Sequence, residues 1–183
     1  IATWSKMVSA IKDDNGRMKG VVVKNMFTGE LKEIHAHVII NATGPWTDRV
    51  LAMSGDHTNP VLRPTKGVHI VVPHSRIPVN NAVCLLHPTD NRPLFAIPWG
   101  DRTYLGTTDT DYEGNPSSVF ANLWDVDYII DTANHYFPDC ALAREDVVST
   151  WAGLRPLIKP RDNGVSESKV SREHEIIITP DGL

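Results

Sequence analysis

The segment His37-Val38-Ile39-Ile40-Asn41-Ala42-Thr43-Gly44-Pro45-Trp46-Thr47-Asp48 constrains this chain more than any other. The β-branched run through Val38, Ile39 and Ile40 predicts a strand buried on both faces, as inside a layered α/β sheet. The run stops at Asn41. From there to Gly44 the side chains are small or polar, so the backbone can lie close to something that is not protein, and Pro45 removes a ladder donor. A flat or phosphate-bearing group fits such a turn, although Thr43-Gly44-Pro45 alone is also ordinary turn chemistry.

The flanking sequence reads as strands and turns. Residues 1–40 predict a β-meander, with Asp14-Asn15-Gly16 and Thr28-Gly29 as hairpin turns leading into the buried strand. A short helix is expected over 47–53 with Thr47 as its cap, then a polar connector over 54–64. From Thr65 onward, strands are expected at 67–73, 82–86, 93–99 and 102–107, and short turns between them favour an antiparallel sheet. The apolar stripe Val126, Ile129, Ile130, Ala133, Tyr136 and Phe137 predicts a helix over 125–137, closed by Pro138. Strand character returns at 146–156 and 170–179. The expected fold class is α+β or α/β, with domains at 1–56 and 57–183. The ends, Ile1 and Asp181-Gly182-Leu183, read as cut from a longer protein.

Composition removes several classes of function. A net charge of −4 with interspersed signs offers no basic stripe for nucleic acid. No run of about 18 apolar residues is present to span a bilayer as a helix. Cys84 and Cys140 stand in unrelated contexts, and His35 and His37, though on one face of a strand, have no third ligand nearby. No metal site is expected.

Three strings could carry chemistry. Lys66-Gly67-Val68-His69 places a Lys and a His at the start of an apolar strand, where an imidazole could take a proton or simply bind a backbone carbonyl. Gly106-Thr107-Thr108-Asp109 ends a strand in hydroxyls and a carboxylate, and also reads as turn chemistry. In Trp151-Ala152-Gly153-Leu154-Arg155-Pro156, Arg155 offers a planar charged fork suited to phosphate, or to packing and ion pairing.

These strings, with Asn41-Ala42-Thr43-Gly44-Pro45-Trp46 and Ile97-Pro98-Trp99, occur in the order found in FAD-dependent glycerol-3-phosphate dehydrogenases of the D-amino-acid-oxidase-like superfamily, which the chain resembles. The resemblance implies an FAD-binding, Rossmann-like domain with its meander, joined to an antiparallel substrate domain. It implies oxidation of sn-glycerol 3-phosphate to dihydroxyacetone phosphate by hydride transfer to FAD. His69 would be the base and Lys66 an electrostatic helper. Arg155 would bind the substrate phosphate, with Arg172 a second substrate arginine. Asn41, Ala42, Thr43, Gly44, Pro45, Trp46 and Gly153 would border the flavin.

The phosphate-cradling Gly-x-Gly-x-x-Gly is absent from these residues, so that half of the cofactor site is expected upstream of Ile1. Electrons would pass to quinone or oxygen. The family further implies peripheral contact with the cytoplasmic face of a bacterial inner membrane, or with a mitochondrial inner membrane, and leaves an oligomer open. A flavin-dependent oxidase of a 2-hydroxy acid or an amine, and a non-catalytic binding module, are the alternatives.

Overall fold

The structure, a computed structural model, describes residues 1–55, 59–159 and 175–183. Its internal contacts divide the chain at Leu62/Arg63 into two units, and the C-terminal residues return to the first.

Strands β1 (Ser5–Lys12), β2 (Met18–Asn25) and β3 (Leu31–His35) form an antiparallel sheet in sequence order. The predicted turns close it: Gly16 and Gly29 have φ of 79° and 76°, and Asp13 Oδ1 accepts the amides of Asn15 and Arg17 at 2.9 Å. Gly20 is needed for a different reason, because a Cβ there would lie 2.5 Å from the Ile34 carbonyl oxygen on the paired strand. A single 3-10 turn, Gly44–Trp46, leads into α1 (Thr47–Ser54). Thr47 is not its cap. Trp46 holds that position without a side-chain cap bond, while Asp48 accepts the amides of Val61 and Leu62 at 2.9 and 3.3 Å.

Two stretches predicted as strand, 37–40 and the described part of 170–179, form no ladder in this unit, and residues 170–174 lie outside the described residues. Residues 37–40 have no ladder partner among the described residues, and Val38 and Ile40 are 72% and 80% exposed. A strand buried on both faces needs neighbours beside it and layers above and below, and the described residues supply neither. Residues 175–179 behave alike, with Ile176 84% and Ile178 82% exposed. No Rossmann-like parallel sheet is present among the described residues. The C-terminal residues, expected with the second domain, are held in the first unit instead. The Met18 amide donates to the Asp181 carbonyl at 2.7 Å, Lys12 pairs with Asp181 at 3.0 Å, and Leu183 packs in a small core with Val50 and Leu51.

The second unit is an antiparallel sheet of β4 (Leu62–Pro73), β5 (Val83–Leu86), β6 (Pro93–Trp99), β7 (Arg102–Gly106), β8 (Thr110–Asp111) and β9 (Ser149–Ile158). Its order is β5-β6-β7-β4-β8, with β9 also on β4. The strand period of two sorts the side chains between the faces. Val68, Ile70 and Val72 of β4, fully buried, pack with Leu94, Ala96 and Leu105 beneath helix α2 (Leu123–Tyr136), which contributes Tyr128, Ile129, Ile130 and Ala133. Burying each Val, Leu or Ile among these contributes about 1.5–3 kcal/mol, so this is the main core.

Helix α2 starts two residues before the sequence expectation, because Asn122 and Asp125 form a reciprocal capping box. On the opposite face of β4, His69 pairs across the sheet with Gly106, and Val71 with Tyr104. Phe95 shares that face through its register with Gly106.

Candidate active site

Strand alternation decides the site. His69 projects from the face of β4 away from α2 and is half-buried there. Its ring stacks on Trp151 of β9, with centroids 4.9 Å apart and planes 18° off parallel, and meets Tyr104 of β7 edge-on at 6.2 Å. The ring lies close over the strand beside it, since a Cβ on Gly106 would come within 2.5 Å of His69 Cδ2. Burial lowers the His69 pKa below its usual value, and the charge of Arg155 lowers it further. The imidazole is therefore neutral at neutral pH and able to accept a proton.

Arg155, on β9, is held by the turn after β7. One terminal nitrogen donates to Asp109 Oδ1 at 3.2 Å and to the Thr108 carbonyl at 3.4 Å, and the other to Thr107 Oγ1 at 3.1 Å. The Asp109 carbonyl in turn accepts from Arg92, which also pairs with Asp90 at 3.4 Å. The Gly-Thr-Thr-Asp string is thus a clamp for a guanidinium. His69 and Arg155 are close enough for the charge of one to be felt at the other, with Trp151 and Tyr104 as an aromatic wall. A proton acceptor beside a fixed planar cation suits a small anion that carries a hydroxyl.

Lys66, expected to assist His69, does not join it. It lies three residues away on β4, its side chain is 8% exposed, and its Nζ pairs at 2.5 Å with the fully buried Asp125 of α2. The same carboxylate accepts the Asn122 amide at 2.9 Å and the Thr108 hydroxyl at 3.4 Å. This is a structural ion pair, tying the start of α2 to the turn that holds Arg155. Sequence reasoning missed Asp125 because nothing in a capping box marks its carboxylate as a lysine partner. It also missed the stacking role of Trp151, for which the only signal was an aromatic residue near the arginine.

The expected flavin-bordering residues fall in both units. Asn41 braces its own loop: its Oδ1 accepts the Thr43 hydroxyl at 2.7 Å and its Nδ2 donates to the Thr47 carbonyl at 3.1 Å. Ala42 and Thr43 are exposed, Gly44 has φ of 57° with open space where a Cβ would lie, and Trp46 is 39% exposed beside Pro45. Gly153 likewise has no atom within 4 Å of a would-be Cβ. Arg172 lies outside the described residues.

Residues 5–178 match the FAD dependent oxidoreductase family, DAO. The chain belongs to that family. Aerobic glycerol-3-phosphate dehydrogenases from Staphylococcus haemolyticus and Staphylococcus saprophyticus are 40% and 43% identical to it over its whole length. The chain spans 32% of those relatives, about a third. A glycerol-3-phosphate dehydrogenase from Bacillus halodurans, solved in complex with FAD, superposes with a TM-score of 0.81 and 41% identity over 86% of this chain and 32% of that one. The L-proline dehydrogenase of P. horikoshii shares the fold, with a TM-score of 0.56 and 19% identity over 87% of this chain and 39% of the other. The fold is thus shared at low identity, and the side chains set on a fold carry the individual chemistry.

Proposed function

We propose that this chain is part of a flavoenzyme that oxidises sn-glycerol 3-phosphate to dihydroxyacetone phosphate. The observation that carries the reading is the shared face of His69 and Arg155. A neutral imidazole and a clamped guanidinium stand together there, on a sheet like that of the Bacillus halodurans enzyme.

The residues present fit FAD. Ala42 and Thr43 are exposed in a loop that Asn41 braces, and Gly44 and Gly153 leave open backbone that a flat group can approach. Each of these stretches offers a surface to a flavin, and FAD, when bound, supplies a hydride acceptor. The chain's own residues do the rest. Arg155 binds the substrate phosphate and fixes which carbon lies near His69. Nε2 or Nδ1 of His69 accepts the proton of the secondary hydroxyl as the carbon loses its hydride, leaving a ketone. Trp151 and Tyr104 flank that face with apolar ring surface. Quinone or oxygen as terminal electron acceptor, and peripheral contact with an inner membrane, belong to the same proposal. No described helix is long and apolar enough to cross a bilayer.

Steady-state oxidation by the full-length, FAD-loaded protein tests this. Replacing His69 with Asn should lower kcat by about 100-fold or more with flavin absorbance retained. Unchanged turnover would remove His69 from the chemistry.

A further inference from the structure

Arg155 has a seat as well as a clamp. A Cβ built on Gly67 of β4 would stand 2.5 Å from one terminal nitrogen of Arg155, 2.6 Å from the other and 2.7 Å from Thr107 Oγ1. All three distances are far inside van der Waals contact. The two terminal nitrogens of the guanidinium therefore abut the bare backbone at Gly67, between that strand and the 107–109 turn.

Gly67 differs from Gly106, which does the same for His69. At Gly106 the φ of 159° and the Val68 carbonyl oxygen, 2.8 Å from a would-be Cβ, make the fold itself resist a side chain. Gly67 is not among the glycines with positive φ, and the three nearest atoms a Cβ would meet there belong to side chains. Alanine at 67 therefore displaces the Arg155 guanidinium, together with the Thr107 hydroxyl that it bonds.

We propose that Gly67 is a positioning residue that sets where Arg155 meets the substrate phosphate, and so helps fix the preference for a phosphorylated substrate. This rests on the reading of Arg155 as the phosphate-binding residue. An ångström-scale shift of the fork breaks its alignment with the phosphate oxygens while the charge stays in place, so affinity suffers more than turnover.

A double-mutant cycle in the full-length, FAD-loaded protein tests it, with Gly67→Ala, Arg155→Met and the pair assayed on glycerol 3-phosphate. Gly67→Ala should raise KM about tenfold, keep kcat within about threefold and leave flavin absorbance and melting temperature unchanged. In the Arg155→Met background the same change should shift KM by less than about twofold, because the group it displaces is gone. Two outcomes overturn the inference alone: a normal KM in Gly67→Ala while Arg155→Met is impaired, or an equal loss in both backgrounds. A normal KM in Arg155→Met removes the phosphate reading of Arg155, and the inference with it.

Discussion

Lys66 and His69 leave the same strand on opposite faces of its sheet: Lys66 turns under helix α2 to Asp125, and His69 turns out to stack on Trp151. Three residues apart on a strand puts them on different sides, so a string that reads as one catalytic pair is split between structure and chemistry. The two halves meet again at one turn. Thr108 donates its hydroxyl to Asp125 and offers its carbonyl to Arg155, so the buried ion pair underpins the guanidinium from behind.

Replacing Lys66 with Met should therefore damage stability rather than catalysis. It strands a fully buried carboxylate, which costs about 3–5 kcal/mol. Denaturant unfolding of the full-length protein should show that loss, with kcat per bound flavin within about threefold of the parent. A 100-fold fall in kcat without loss of stability would restore Lys66 to the chemistry.

Asn122 caps α2, its Oδ1 accepting the Asp125 amide at 3.0 Å. Asn122→Ala should lose about 1 kcal/mol of stability, read by the same unfolding assay. Asn122→Asp should retain most of it, because a carboxylate accepts the same bond and faces the positive end of the helix.

The depressed pKa of His69 sets the direction of a pH effect. The folded protein resists protonating the imidazole, whereas the unfolded chain takes up that proton near its ordinary value of 6.5. The contribution to stability is thus complete above 6.5 and is lost as pH falls from there through the lower folded pKa. Where a neutral imidazole accepts the proton, the acid limb of kcat/KM should fall with a midpoint below 6.5. In Arg155→Met the limb should move up, because one of the two causes of the shift has been removed.

Arg155→Lys keeps a charge but not the fork. An ammonium cannot reproduce the planar set of donors that spans Thr107, Thr108 and Asp109. KM for glycerol 3-phosphate should rise by about tenfold or more, with a smaller change in kcat.

Much of this was legible in the residues, and the exceptions share a cause. Local signals placed the meander, the hairpins, α2 and the strands around His69 and Arg155, because turn chemistry and periodicity act within a few residues. The strings flanking the site were recognisable for the same reason. What failed depended on partners distant in sequence. Val38 and Ile40 read as buried from their own chemistry, yet burial needs sheet neighbours that the described residues do not provide. Lys66 read as a site residue until Asp125, 59 positions away, supplied a counter-charge on the other face. Gly67 carries no local signal of its role, because the terminal nitrogens that abut it belong to Arg155, on a strand distant in sequence.

The central claim is that Arg155 and His69 share one substrate. A crystal structure of the full-length, FAD-loaded protein with glycerol 3-phosphate bound tests it most directly. The expected result is phosphate oxygens about 3 Å from the Arg155 guanidinium, with the secondary hydroxyl in hydrogen-bond reach of His69. A phosphate held elsewhere, with Arg155 still turned to Asp109 and no ligand atom near His69, would contradict it.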